Sequence, residues 1–151
     1  MSDPRAVADR DDEGAGRMPD RLTMIVLSAR DLPSLRTFYR GLGWSEQEGA
    51  SDALSTFQLG DAVLALYPAA ADSDPASDIR SAVTLVLRVG TREAVNQACA
   101  RALRAGAQSV AAAQDQPWGG RSAIVADPEG NRWEVLWVPE RPDISEPNTD
   151  A

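Results

Sequence analysis

Trp118-Gly-Gly-Arg-Ser-Ala-Ile-Val-Ala-Asp-Pro-Glu-Gly-Asn-Arg-Trp-Glu-Val-Leu-Trp137 reads as a β-hairpin whose turn is written into its residues. Pro128 holds φ near about −65° and so excludes the type I′ and II′ turns of two-residue hairpins. What remains is a type I turn closed by a residue of positive φ, which Gly130 supplies, so that Asp127 faces Asn131 across a bulge. Counting outward sets Val125 opposite Trp133, Ile124 opposite Glu134, Ala123 opposite Val135 and Ser122 opposite Leu136. One face is then nearly all apolar. The other carries Ser122, Ile124, Arg132, Glu134 and Leu136, a mixed set that suits a cleft wall better than a close-packed core.

Working outward, the rest of the chain supplies two similar halves. Leu22 to Ala29 is an apolar run of strand length, and Asp31-Leu-Pro33 offers a capping acid and a proline for a first helical turn. Leu32, Leu35, Phe38, Tyr39 and Leu42 recur at helical spacing up to Gly41-Leu42-Gly43. A short strand is expected over 44–48. The runs 54–59 and 62–67 flank Gly60-Asp61, a two-residue loop that pairs Phe57 with Leu64 and Thr56 with Ala65. After a linker over 69–80 the order returns. Ser81 to Val89 forms a strand, Thr91 caps a helix with Val95, Ala98, Cys99, Ala102 and Leu103 on its buried stripe, Gly106 ends it, and 108–113 gives a strand before the Trp118 hairpin. Each half reads β-α-β-β-β, offset by about sixty residues. The fold class is therefore α+β. One domain spans 21–139, with modules 21–68 and 81–139, between tails 1–20 and 140–151 that lack apolar periodicity and read as disordered.

Composition removes whole classes of function. The 151 residues contain no His and no Lys, so all fifteen positive charges are Arg. Imidazole bases, Ser-His and Cys-His nucleophile pairs, Schiff bases and the commonest transition-metal ligand are all excluded. Cys99 is the single cysteine, which excludes an internal disulfide, and its place on a buried helical stripe suits an inert thiol. Of the net charge of −8, each tail contributes −3, leaving −2 for the body and no footprint for nucleic acid. No run is long and apolar enough to span a bilayer and no secretory leader is evident, which makes the cytoplasm the expected compartment.

A strand ending Ala29-Arg-Asp31-Leu32, a helix ending Phe38-Tyr39-Arg-Gly-Leu-Gly43-Trp44 and the closing Ala126-Asp-Pro-Glu-Gly-Asn131-Arg-Trp-Glu134 together resemble the vicinal oxygen chelate superfamily, which includes glyoxalase I, extradiol dioxygenases, fosfomycin-resistance enzymes and bleomycin-resistance proteins. Gln114-Asp115 and Trp118-Gly-Gly look like a glyoxalase-like subgroup. The resemblance covers about 21–139. It implies two βαβββ modules forming a cupped mixed sheet, helices on the convex side and a ligand in the cup. It further implies one divalent metal held from the opening and last strands of each module. At those four positions stand Met24, Ala65 (or Leu64, if the register slips), Thr84 and Glu134. Only Glu134 is a metal ligand, where about three are needed, so no metal and no cofactor are expected.

The resulting expectation is a metal-free cup that binds a small organic molecule in the manner of a bleomycin-resistance protein. Its ligand-binding residues would be Met24, Thr56, Val63, Tyr67, Thr84, Trp118, Ser122 and Ile124. The enzyme alternative is a lyase or isomerase in which Glu134, desolvated among Thr84, Ile124 and Met24, moves a proton while Thr84 or Ser122 orients the substrate. Against it stands a Glu134 merely paired with Arg88 or Arg132, or hydrogen-bonded by Thr84 and Ser122. A metal-dependent glyoxalase or dioxygenase ranks behind both. A purely structural module would be favoured by a cup filled with its own side chains. Edge strands and an open cup also suggest a homodimer.

Overall fold

The computed structural model describes residues 16–69 and 83–140. The first fifteen residues of the leading tail, nearly all of the linker with Ser81 and Ala82, and 141–151 lie outside the described residues.

The first module contains β1 (Met24–Ala29), α1 (Leu32–Gly41), β2 (Ser55–Leu59) and β3 (Ala62–Pro68); the second contains β4 (Thr84–Arg88), α2 (Arg92–Ala105), β5 (Gln108–Asp115), β6 (Arg121–Ala126) and β7 (Arg132–Trp137). Local chemistry sets the helix ends. Asp31 accepts from the Ser34 amide at 3.1 Å and Thr91 from the Ala94 amide at 3.0 Å, each meeting one of the amides a first helical turn leaves open. Gly106, at φ 112°, closes α2 in the left-handed region.

The strands form two mixed sheets, β1-β3-β2 and β4-β7-β6-β5, in which β1 runs parallel to β3 and β4 parallel to β7. The Trp118 hairpin has the register read from its turn: Ser122 faces Leu136, Ile124 faces Glu134 and Val125 faces Trp133. Asp127 donates its amide to the Asn131 carbonyl, with Gly130 at φ 92°. In the first sheet Phe57 faces Leu64 and Thr56 faces Ala65. The strand expected over 44–48 is only a single bridge, Glu46 with Phe57, supported by the Gln47 amide on the Thr56 carbonyl. The Glu46 side chain is instead drawn toward α1.

Each helix covers one face of a sheet, and the buried faces merge into one core. Leu35, Phe38, Tyr39, Phe57, Leu64 and Leu66 of the first module meet Val95, Cys99, Ala123, Val125 and Trp133 of the second. Burial pushes the Cys99 thiol's pKa up, as an inert core thiol requires. Leu103 corrects the expected stripe, because it is 42% exposed. One residue beyond Ala102, it turns about 100° past the edge of the buried arc. The helices meet where Gly41 lies against Ala105, so closely that a Cβ on Gly41 would come within 3.0 Å of the Ala105 Cβ. Arg101 donates to the Gly41 carbonyl at 3.2 Å at the same contact. Among the described residues no helix is long and apolar enough to cross a membrane.

Candidate functional site

With the helices on one face of each sheet, strand alternation presents the other face outward. On the first sheet that open face carries Met24, Val26 and Ser28 from β1, Val63, Ala65 and Tyr67 from β3, and Thr56 from β2. On the second it carries Thr84 and Val86 from β4, Arg132 and Glu134 from β7, and Ser122 and Ile124 from β6. Apolar side chains there meet solvent: Met24 is 42% exposed, Val26 55%, Tyr67 40% and Val86 53%. Among the described residues, no side chain packs fully over these exposed positions of the open faces.

Apart from Trp118, the expected site residues fall into two groups, one per sheet. Met24 pairs with Val63 and Thr56 lies beside Ala65, while Tyr67 sits at the far end opposite Ser28. On the second sheet Ile124 and Glu134 are direct cross-strand neighbours, with Ser122 two residues along. Thr84 faces Arg132, and Val86 is the residue that faces Glu134. Among the described residues no strand pairing joins the two sheets. The direct cross-strand neighbours of Glu134 are thus Ile124 and Val86, with Thr84 placed diagonally on the same face.

Glu134 is half-buried and makes no hydrogen bond or ion pair among the described residues. None of the partners the sequence offered, Thr84, Ser122, Arg88 or Arg132, bonds its carboxylate. Ser122, 6% exposed, accepts a hydrogen bond from Gln116 Nε2 at 3.0 Å. Neither Arg88 nor Arg132 pairs with the carboxylate. With no cation anchoring it among the described residues, this half-buried carboxylate between Ile124 and Val86 is open to a ligand's hydrogen-bond donor.

Trp118 sits in the turn between β5 and β6, 55% exposed. Its ring lies on Gly120, where a Cβ would come within 2.1 Å of the indole and 2.6 Å of the Trp137 carbonyl oxygen. The turn is closed by the Gln116 amide on the Gly120 carbonyl at 2.8 Å. Gly120 therefore serves as the indole's seat at the end of the hairpin. Arg121, at the start of β6, faces α2: its guanidinium donates to Asn96 at 2.9 Å and to Asp115 at 3.2 Å. Arg92 also grips Asp115, at 2.5 Å, and these two guanidinium groups hold its carboxyl below the usual range.

The two positions per sheet that a divalent metal would use are related alike in both modules: Ala65 faces Val26, two residues past Met24, and Glu134 faces Val86, two residues past Thr84. This fixes Ala65, rather than the core-facing Leu64, as the second position. Its side chain has no donor atom and is fully buried. A thioether, a methyl group, a hydroxyl and one carboxylate do not fit a catalytic divalent metal. Among the described residues no three His, Cys, Asp or Glu side chains come together.

Comparison with known proteins bears on this geometry. Residues 21–135 match the family model described as the Glyoxalase/Bleomycin resistance protein/Dioxygenase superfamily. A glyoxalase-related enzyme from Fulvimarina pelagi is similar in structure, with a TM-score of 0.69 and 28% identity over 82% of this chain and 92% of that one. A glyoxalase/bleomycin resistance protein/dioxygenase family enzyme from Burkholderia phytofirmans PsJN shares the fold at TM-score 0.64 and 20% identity, over 77% and 97%. Lactoylglutathione lyase from Agrobacterium tumefaciens shares it at TM-score 0.59 and 22% identity, over 80% and 96%. No curated protein matches the chain.

Proposed function

The chain belongs to the Glyoxalase/Bleomycin resistance protein/Dioxygenase superfamily, and from that premise we propose that it is a cytoplasmic binding protein that takes a small, partly apolar organic molecule on its open sheet faces without a metal. One observation carries this reading: the four positions that would hold a metal supply a single carboxylate, while Met24, Val26, Tyr67 and Val86 leave apolar surface beside them. Such surface, with Thr56, Val63, Thr84, Ser122 and Ile124 around it and Trp118 at one end, favours a flat, weakly polar ligand. Glu134, which has no partner among the described residues, supports a second reading, a lyase or isomerase in which this carboxylate takes and returns a proton on a substrate held against Ile124.

Thermal-shift screening of small aromatic and carboxylate-bearing compounds, including bleomycin-like antibiotics, tests both. A ligand at a hundredfold over its Kd stabilises the fold by about 2.7 kcal/mol. Binding is expected to be indifferent to chelators. Loss of the shift in Trp118→Ala but not in Glu134→Gln supports sequestration, whereas turnover of a hit that stops in Glu134→Gln while binding persists supports the enzyme. One equivalent of Zn, Fe, Mn or Ni whose removal abolishes function would sink the metal-free reading.

The same open faces support a homodimer. β1 and β4 are sheet edges, and each carries an exposed valine beside its unpaired backbone. Light scattering at micromolar concentration is expected to give about twice the 16.1 kDa chain mass. A monomer mass would count against it.

A further inference from the structure

The two helix starts are treated differently by the facing module. At the first, the Glu129 carboxylate of the β6–β7 turn accepts the amides of Arg30 at 2.6 Å and Asp31 at 3.3 Å. The turn between β2 and β3, in the corresponding place in the other module, is the two-residue Gly60-Asp61. It is folded back on itself, since Gln58 Nε2 donates to the carbonyls of Gly60 at 2.8 Å and Ala62 at 3.2 Å. Where this shorter turn faces the end of β4 there is an open cavity of about 590 Å³. None of the expected site residues lines it.

Its walls are chemically simple. Trp44 forms an aromatic side, Leu59 and Val86 form apolar sides from the two modules, and Ala98 and Val135 close the floor from α2 and β7. Trp44 is held rigidly, its ring stacked on Tyr39 at 5.6 Å and edge-on to Trp133 at 5.4 Å. Arg88 is the one charged residue of the lining, and it makes no hydrogen bond or ion pair among the described residues. Gln58 also lines the cavity, but its amide is committed to the turn and to Gln47. The nearest acids along the strands are Glu134, which faces Val86, and Asp61, which follows Gly60, and neither lines the space.

We propose that this cavity between the modules, which opens at the β4 edge and shares Val86 and Arg88 with the open face of the second sheet, is a second ligand site for a flat apolar molecule bearing one anionic group. Trp44 offers aromatic surface against which a flat ring can lie, the aliphatic side chains an apolar wall, and Arg88 a guanidinium without a partner among the described residues for a carboxylate or sulfonate. The volume lies within the range of small-molecule sites, roughly 300–1,000 Å³. Ala98 lines the floor with a single methyl group, so a larger side chain there takes up part of the space.

The test compares 2-naphthoate with its neutral analogue 2-naphthylmethanol, by calorimetric titration of the full-length protein. Naphthoate is expected to bind with a Kd of about 0.1–1 mM, in keeping with its few heavy atoms. Arg88→Gln weakens naphthoate about tenfold and leaves 2-naphthylmethanol unchanged. Ala98→Leu, a helix-compatible change that fills the floor, abolishes binding of both, its fold checked by circular dichroism. Absence of naphthoate binding up to 5 mM overturns the proposal. So does retention of binding in both Arg88→Gln and folded Ala98→Leu. Loss in Trp118→Ala or Glu134→Gln, with Ala98→Leu unaffected, places the probe on the open faces and likewise overturns it while leaving the open-face reading intact.

Discussion

Replacing Asp127 by alanine is expected to lower the unfolding free energy by about 3–5 kcal/mol, among the larger effects any single substitution produces. Asp127 is 2% exposed, and its carboxylate is where the two modules are tied together. Oδ1 accepts the amides of Glu129 and Asn131, both at 2.9 Å. Oδ2 accepts Asn131 Nδ2 at 2.8 Å and the Tyr39 hydroxyl of α1 at 2.5 Å. The Tyr39 oxygen in turn accepts from Trp133 Nε1 at 3.0 Å. Burial first, and the neighbouring Asp127 second, push the Tyr39 pKa well above its usual value, so the phenol remains a donor. Alanine leaves the buried Tyr39 hydroxyl and Asn131 amide without their acceptor, and each orphaned group costs about 1–3 kcal/mol. Tyr39→Phe removes only one of the four bonds and costs about 1–2 kcal/mol, though it also strands the Trp133 indole. Urea unfolding of the single and double variants gives the coupling, expected to exceed ~0.5 kcal/mol. A loss below about 1 kcal/mol for Asp127→Ala would mean that the hairpin holds without its carboxylate.

That network shows where sequence reading stops. The β6–β7 register was legible because Pro128 and Gly130 leave one turn geometry, and strand alternation then fixes every side chain's face. Helix starts at Asp31 and Thr91 were legible for the same local reason. Tyr39 on a helical apolar stripe reads as core, and core it is, but its bond to Asp127 spans 88 positions and has no local signal. The neighbours of Glu134 across the sheet, Ile124 and Val86, depend respectively on a hairpin count, which the sequence supplies, and on a parallel pairing, which it does not. Trp118 lies in a turn, where alternation says nothing about direction, and its seat on Gly120 emerges only with the fold. The cavity at Trp44 was not legible either. Its lining comes from both modules, from Trp44 and 58–60 of the first and from β4, α2 and β7 of the second, which no local signal brings together.

The last large effect is expected at Glu46, through pH. The expected strand over 44–48 gives way to an ion cluster: Arg36 Nε meets Glu46 at 2.8 Å, Arg40 and the fully buried Ser55 hydroxyl also donate to it, and Arg36 Nη1 reaches the Ser51 carbonyl at 3.2 Å. The Glu46 side chain is 11% exposed. These partners, Arg36 foremost, bring its pKa down to about 2, from 4.5 for an unperturbed carboxyl. Folding therefore favours the ionised form. The stabilisation is complete above the unfolded value, near pH 5, and is lost as pH falls from there toward 2. Because Arg40 is half-exposed, screening trims the electrostatic part, and about 1–2 kcal/mol is expected at pH 7. Glu46→Gln should lose that amount at neutral pH and converge on the wild type by about pH 2, in urea unfolding series at each pH. Asp115→Asn, at the exposed Arg92 pair, serves as the surface comparison with a smaller loss. Parallel curves for Glu46→Gln and wild type from pH 7 to pH 2 would show that the cluster places the 44–54 segment without contributing its charge to stability.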